Sequence, residues 1–168
     1  TVEWSNTGDT DMASPLLRMT NPASLDFSLD PFLESTFGSD VQFVGYSTTG
    51  PAGVLQPGDR ESVTLWSLAS TWVGRYDFTL SGVVEEWGNP QPKPINWAAL
   101  EPLYRPPGVA DETEWAAVWQ LFTQDMGETW TDVVRRLADE VTQSGVPADR
   151  LPLVDDLMQD ALARAAGW

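Results

Sequence analysis

The sequence predicts an α+β chain in which an antiparallel β-sandwich is followed by a small bundle of three to four helices. Apolar residues alternate in short bursts between turn residues up to about residue 88, and from about residue 95 they recur at helical spacing. Between the two lies Gly88-Asn89-Pro90-Gln91-Pro92-Lys93-Pro94. Its three prolines suit neither a helix interior nor a central strand. The expected organisation is a sandwich over residues 1–88, a proline-rich linker over 89–94 and a helical unit over 95–168.

The strand signals come in order. Val2 and Trp4 alternate before the turn-rich Asn6-Thr7-Gly8-Asp9, and residues 15–20 give a second strand. Leu25, Phe27 and Leu29 alternate strictly, and Val41, Phe43 and Gly45 mark a fourth strand. Leu55-Gln56-Pro57-Gly58-Asp59 places proline and glycine where a tight turn wants them. After it Val63 and Leu65 alternate, then Trp66 and Leu68 take the opposite parity, which reads as a bulge. Tyr76, Phe78 and Leu80 close the series. Six or seven short strands with regular turns argue for a sandwich.

The helical half is marked by stripes. Trp115, Val118, Trp119, Phe122 and Met126 lie on one face, and Trp130, Val133, Val134, Leu137 and Val141 repeat that pattern. Leu151, Val154, Met158, Ala161 and Leu162 supply a third, weaker stripe. Asp111 with Glu114 resembles a capping box, Thr129 or Thr131 caps the next helix, and Gly127 and Gly145 fall where helices end. A short helix over 97–104 opens at Asn96 and stops before Pro106-Pro107. Each longer helix has one apolar stripe, so it must pack on another helix or on the sandwich.

Composition removes whole classes of chemistry. Twenty-five acidic residues face nine basic ones, giving a net charge of −16. Such a field repels phosphate backbones and anionic membrane surfaces, so neither nucleic acid nor an acidic bilayer is an expected partner. Cations or basic proteins are the natural counterparts, although solubility alone explains the charge. With neither cysteine nor histidine, disulfides, thiolate or imidazole metal sites, Ser-His-Asp triads and Cys-His dyads are excluded. No stretch reaches the roughly 18 apolar residues that span a bilayer, so no membrane insertion is expected. The opening Thr1-Val2-Glu3-Trp4, without initiator methionine or signal peptide, reads as the start of a piece excised from a longer polypeptide.

Two segments of the first half carry a family likeness. Val2-Glu3-Trp4-Ser5-Asn6-Thr7-Gly8 resembles the strand ending in Asn-Thr-Gly of bacterial immunoglobulin-like modules of the cell-adhesion-related (CARDB-like) type. Leu55-Gln56-Pro57-Gly58-Asp59, Val63-Thr64-Leu65 and the run from Gly74 to Leu80 resemble their later half. The likeness covers about half of the chain. Ile95-Asn96-Trp97-Ala98-Ala99-Leu100, Arg105-Pro106-Pro107-Gly108, Trp115 and Gly127-Glu128-Thr129-Trp130 are similar to a helical segment paired with such sandwiches in very large bacterial surface or secreted proteins. The resemblance implies an immunoglobulin-like sandwich and an exported parent, extracellular or at the cell surface, bearing repeats. Neighbouring domains of that polypeptide, and a contacted protein, are the implied partners. It carries over no catalytic residue. A first strand before Val2 is missing, which leaves a sandwich edge open or filled by a preceding segment or partner.

Candidate sites follow from residue chemistry. Asn6, Asp9 and Asp11 make an oxygen-rich loop of the kind calcium takes, while the same residues are also what any tight turn selects. Asp26, Asp30, Glu34 and Asp40 form a second acidic region, read as a solvated edge. Of the nine tryptophans, Trp4, Trp66, Trp115, Trp119 and Trp130 are expected in cores. Trp72 and Trp87 are the candidate platforms for a sugar ring, and Trp87 and Trp97 flank the linker and would wedge between the halves. Glu85-Glu86 and Asp155-Asp156 are adjacent pairs, and neighbours on a strand point to opposite faces, so they do not make a glycosidase pair. Asp132 with Arg136, and Arg135 with Asp139, are spaced for surface ion pairs on one helix. The expectation is a non-catalytic structural and interaction module. Its rivals are a calcium- or carbohydrate-binding module and a carboxylate-based hydrolase.

Overall fold

The structure is a computed structural model that describes residues 1–22, 25–32, 36–67, 78–82, 93–109, 111–144 and 151–167. Among them nine strands precede four helices and every strand pairing is antiparallel, so the α+β class and the order of its elements are as the sequence predicts. Residues 68–77, which carry part of the last expected strand, and 83–92, which carry most of the linker, lie outside the described residues.

Strand β3 (Leu16–Thr20) organises the first half because both of its faces hold apolar side chains. It pairs with β5 (Asp40–Val44) on one side and β9 (Thr79–Gly82) on the other. Leu17 and Met19 turn one way, with Val41 and Phe43 of β5, into a cluster completed by Val2, Phe27 and Leu151. Alternation sends the other parity to the opposite face. There Leu16 and Val44, which are register partners, are 1% and 0% exposed and sit in the core of the helices. Further along that face Arg18 and Asp40 form an exposed ion pair, and the Arg18 guanidinium holds the Asp40 carboxyl below its usual range. One face of β3–β5 is therefore apolar at one end and charged at the other.

The remaining strands are short. β1 (Val2–Ser5) pairs with β7 (Arg60–Val63), β2 (Met12–Ala13) with β6 (Val54–Leu55), and β4 (Phe27–Ser28) with β8 (Trp66–Ser67). The sequence pattern does not mark β2 and β6, since two residues show no periodicity. The parity switch expected at Trp66 is corrected by the structure. Val63 and Leu65 pack inward, whereas Trp66 is 46% exposed. The chain changes sheet partner between β7 and β8, leaving Thr64 and Leu65 unpaired between two ladders.

The helices match their sequence stripes except at Leu151, which precedes α4 and packs in the strand cluster. α1 (Trp97–Tyr104) is capped by Asn96, whose side chain accepts from the Ala99 amide. α2 (Glu112–Met126) is capped by Asp111, which accepts from Thr113 and Glu114. α3 (Trp130–Ser144) starts on Thr129: its hydroxyl donates to Asp132, and Asp132 also accepts from the Thr129 amide. Those hydrogen bonds hold the Asp132 carboxyl below its usual range. α4 (Val154–Ala166) ends on Gly167 in the left-handed region. Gly127 joins α2 to α3 at φ +91° and ψ −173°, a conformation close to glycine-only, and a Cβ there would lie 2.5 Å from the Asp132 Cβ.

Residues of all three longer helices fill one core together with Leu16 and Val44. Trp97 of α1 reaches over this core, edge-on to Trp119 and Phe122, and its indole N–H donates to the Gly127 carbonyl. Gly53 (φ +72°) brings the β2–β6 end against α3, where a Cβ would approach the Arg135 Cα to 3.0 Å. The end of the linker is pinned as well, with Pro94 bridged to Thr129 and Ile95 donating to the Glu128 carbonyl.

Truncating the shared pair tests this architecture. Leu16→Ala is expected to cost about 2–5 kcal/mol, as for a buried leucine elsewhere. Far-ultraviolet ellipticity and tryptophan fluorescence should then fall together in one transition at a lower temperature. A transition unshifted from that of the wild type would show that Leu16 does not join strands to helices.

Candidate functional site

The first acidic loop is built around Asn6, which faces inward. Its carboxamide donates to the carbonyls of Thr10 and Leu55, each at 2.8 Å, and accepts from the Gly8 amide at 2.9 Å. Its backbone exchanges two hydrogen bonds with the 58–59 turn. Asn6 is therefore the post that ties the 6–10 loop to β6, while Asp9 and Asp11 are exposed. Among the described residues no three acidic side chains converge in a group that could hold a metal ion.

The second acidic region is dispersed. Asp26 is exposed, Asp30 accepts from the Phe32 amide in a local turn, and Asp40 pairs with Arg18. Glu34 lies outside the described residues. Two carboxylates that the sequence reading passed over have clear tasks. Asp59 accepts from the Gln56 amide at 2.8 Å and Glu61 from the amide and hydroxyl of Thr48, fastening the 47–50 loop to the 56–61 turn.

The tryptophans divide sharply. Trp115 and Trp119 are buried and stacked, and Trp4 and Trp130 are partly buried against the cores. Trp115 donates to Glu101 of α1 at 2.7 Å, and the Arg105 guanidinium lies 5.8 Å from its ring while pairing with Glu112. Trp97 packs against the core that the helices share with Leu16 and Val44. The proposed platforms Trp72 and Trp87, and with them Glu85 and Glu86, lie outside the described residues. Trp66, expected in a core, is exposed. It stands beside Ser67, the partner of Phe27, and the Phe27 ring packs on Phe78 at 5.6 Å.

Among the described residues, exposed apolar side chains on the strand half also stand at and just before β9. Phe78 and Leu80 are nearly half exposed, as is Trp66. All four residues of β9 are exposed, and among the described residues β9 pairs with β3 alone. A strand paired on one side alone, as β9 is among the described residues, accepts a further strand on the other.

A second concentration of chemistry crosses the helices. The expected Asp132–Arg136 pair is corrected: Asp132 is taken up in capping α3, and Arg136 reaches Asp125 of α2 at 2.9 Å, with Glu140 at 4.0 Å. Glu140 is buried and also bonds Arg164 of α4. Burial raises its carboxyl above the usual range against the opposing pull of Arg164 and Arg136. Tyr104 of α1 donates to Asp155 of α4 at 3.0 Å, and burial first, then the Asp155 charge, push its hydroxyl well above its ordinary value. These contacts fasten α1, α2 and α3 to α4 or to each other. Spacing within one helix could not show them, because the partners lie on different helices.

No protein-family model, curated protein or solved structure matches this chain.

Two expectations follow. Asn6→Ala strands two carbonyls and an amide and should lower stability by about 1–3 kcal/mol. A melt in excess chelator checks it: a loss seen only with calcium present would make Asn6 a ligand instead of a post. For Glu140, a raised native value means that the neutral form is favoured by the fold. Its contribution is full below the ordinary glutamate value of roughly 4.3 and is lost as pH rises through the native one. Glu140→Gln, permanently neutral, should match the wild type near pH 4 and melt higher at pH 7. A lower melting temperature at pH 7 would mean that the ion pairs outweigh burial.

Proposed function

We propose that the chain is a structural and interaction module, without a catalytic role, that spaces or presents neighbouring domains of a large exported bacterial protein. The observation that supports this reading best is the insertion of Leu16 and Val44 into the helical core. A spacer must transmit orientation from one end to the other, and two halves that share buried side chains move together. The segment 151–153 adds backbone contacts of the same kind, bridging Leu153 to Phe43. The exported, cell-surface setting and the immunoglobulin-like identity of the strand half rest on the CARDB-like resemblance of residues 2–8 and 55–80. Contact with a protein partner is assigned to the exposed strand β9 and the adjoining Phe78. The charge of −16 favours a basic partner there.

Rigidity is the property to measure. The chain has no cysteine, so Asp9→Cys and Gln120→Cys, both at exposed positions, place spin labels on the strand half and on α2. Pulsed electron resonance should give one narrow distance distribution, unchanged when a neighbouring domain is attached. A broad or two-peaked distribution would show that the halves reorient, and the spacer reading would fall.

A further inference from the structure

The three-stranded sheet treats its two edges differently. β9 is exposed throughout, whereas the outer side of β5 is met by residues 151–153. The Val44 amide donates to the Pro152 carbonyl at 3.2 Å, and Phe43 forms an antiparallel bridge with Leu153. Leu151 is buried in the strand cluster and Leu153 packs against it. Two leucines thus anchor the strap to the strands, just before α4 begins.

The backbone of this strap is self-terminating. In extended chain the N–H and C=O of one residue point the same way and those of its neighbours the opposite way. With the Pro152 carbonyl turned to Val44, the Leu151 carbonyl and the Leu153 amide face away from the sheet. Those two groups bond each other, Leu153 N–H to Leu151 carbonyl, at 2.8 Å. They close a three-residue turn around Pro152, whose ring fixes φ near the value such a turn requires. Pro152 has no N–H of its own. Neither of the two outward groups is left to receive another strand.

We infer that residues 151–153 are an edge seal: a strap that occupies β5 and ends the sheet there, preventing β5 of a second copy from pairing with it. β5 is suited to such pairing. Asp40-Val41-Gln42-Phe43-Val44 alternates, and an antiparallel two-fold pairing centred on Gln42 places Asp40 opposite Val44 rather than opposite another carboxylate. Its one charge is already matched by Arg18 within the same chain.

The test compares the whole chain with two variants by sedimentation velocity, in salt sufficient to screen the net charge. Pro152→Val lets the strap straighten and expose its outward groups. Leu151→Asp with Leu153→Asp expels it. Both should associate about tenfold or more tightly than the wild type. Adding Gln42→Pro to the double aspartate variant, whose β5 is uncovered, should reverse its association, since the Gln42 amide shares the outward side of β5 with that of Val44. Variants that stay folded and sediment as the wild type, or association that survives Gln42→Pro, would overturn the seal. Hydrogen exchange of the unaltered chain gives a readout that needs no variant: the Val44 amide should be protected to the level of the inner β5 amides. Exchange of Val44 at the rate of an open edge would overturn the inference equally.

Discussion

Everything in this molecule hangs on one cross-strand pair. Leu16 and Val44 stand opposite each other on β3 and β5, on the face that points away from the strand core, and both are buried among the helices. A strand half-buried on each side must satisfy two cores at once. That requirement fixes the register of β3 on β5, because a slip of β3 by one residue would send Leu17 to the helices and Leu16 to the strand core while Phe43 and Val44 kept their faces. It also places the start of α4, since the strap that leads into that helix lies along β5.

The acidity of the chain looks different once its carboxylates are followed to their partners. Asp111 and Asp132 cap helices, Asp59 and Glu61 hold a loop, Glu101 accepts from Trp115, and Asp125 and Asp155 reach across helices. These carboxylates thus have specific partners, each accepting a hydrogen bond from a backbone amide, a hydroxyl, an indole or a guanidinium. Glu140 is the exception in cost, because it is buried and its charge must be held by Arg136 and Arg164 from two helices. Pairs of this sort fix orientation more than they add stability.

Edges divide the surface into closed and open parts. A three-stranded sheet has two, and among the described residues one is covered by the chain's own strap while β9, at the other, is exposed beside Phe78. The asymmetry gives the proposed spacer a direction: one side turned into the helices, one side available to a partner. It also explains why Trp66 is exposed. The chain leaves β1 for β4 between Val63 and Trp66, and the ring that sequence parity places inside is carried to the outer side.

The sequence by itself determined what depends on neighbours along the chain. The helices were legible because their stripes recur over three or four turns and their caps, Asn96, Asp111 and Thr129, are local hydrogen bonds. The longer strands were legible from alternation, and β2, β6 and the strap were not, since two or three residues carry no period. The Asn-Thr-Gly-Asp loop was seen as a feature, but its chemistry was not readable. The Asn6 carboxamide takes its meaning from the Leu55 carbonyl, 49 residues away. Only the tertiary structure decided which face of β3 meets the helices, which arginine meets Glu140, and which sheet edge is sealed. Each of those is a contact between segments far apart in sequence, and local spacing holds no information about which distant surface a side chain will reach.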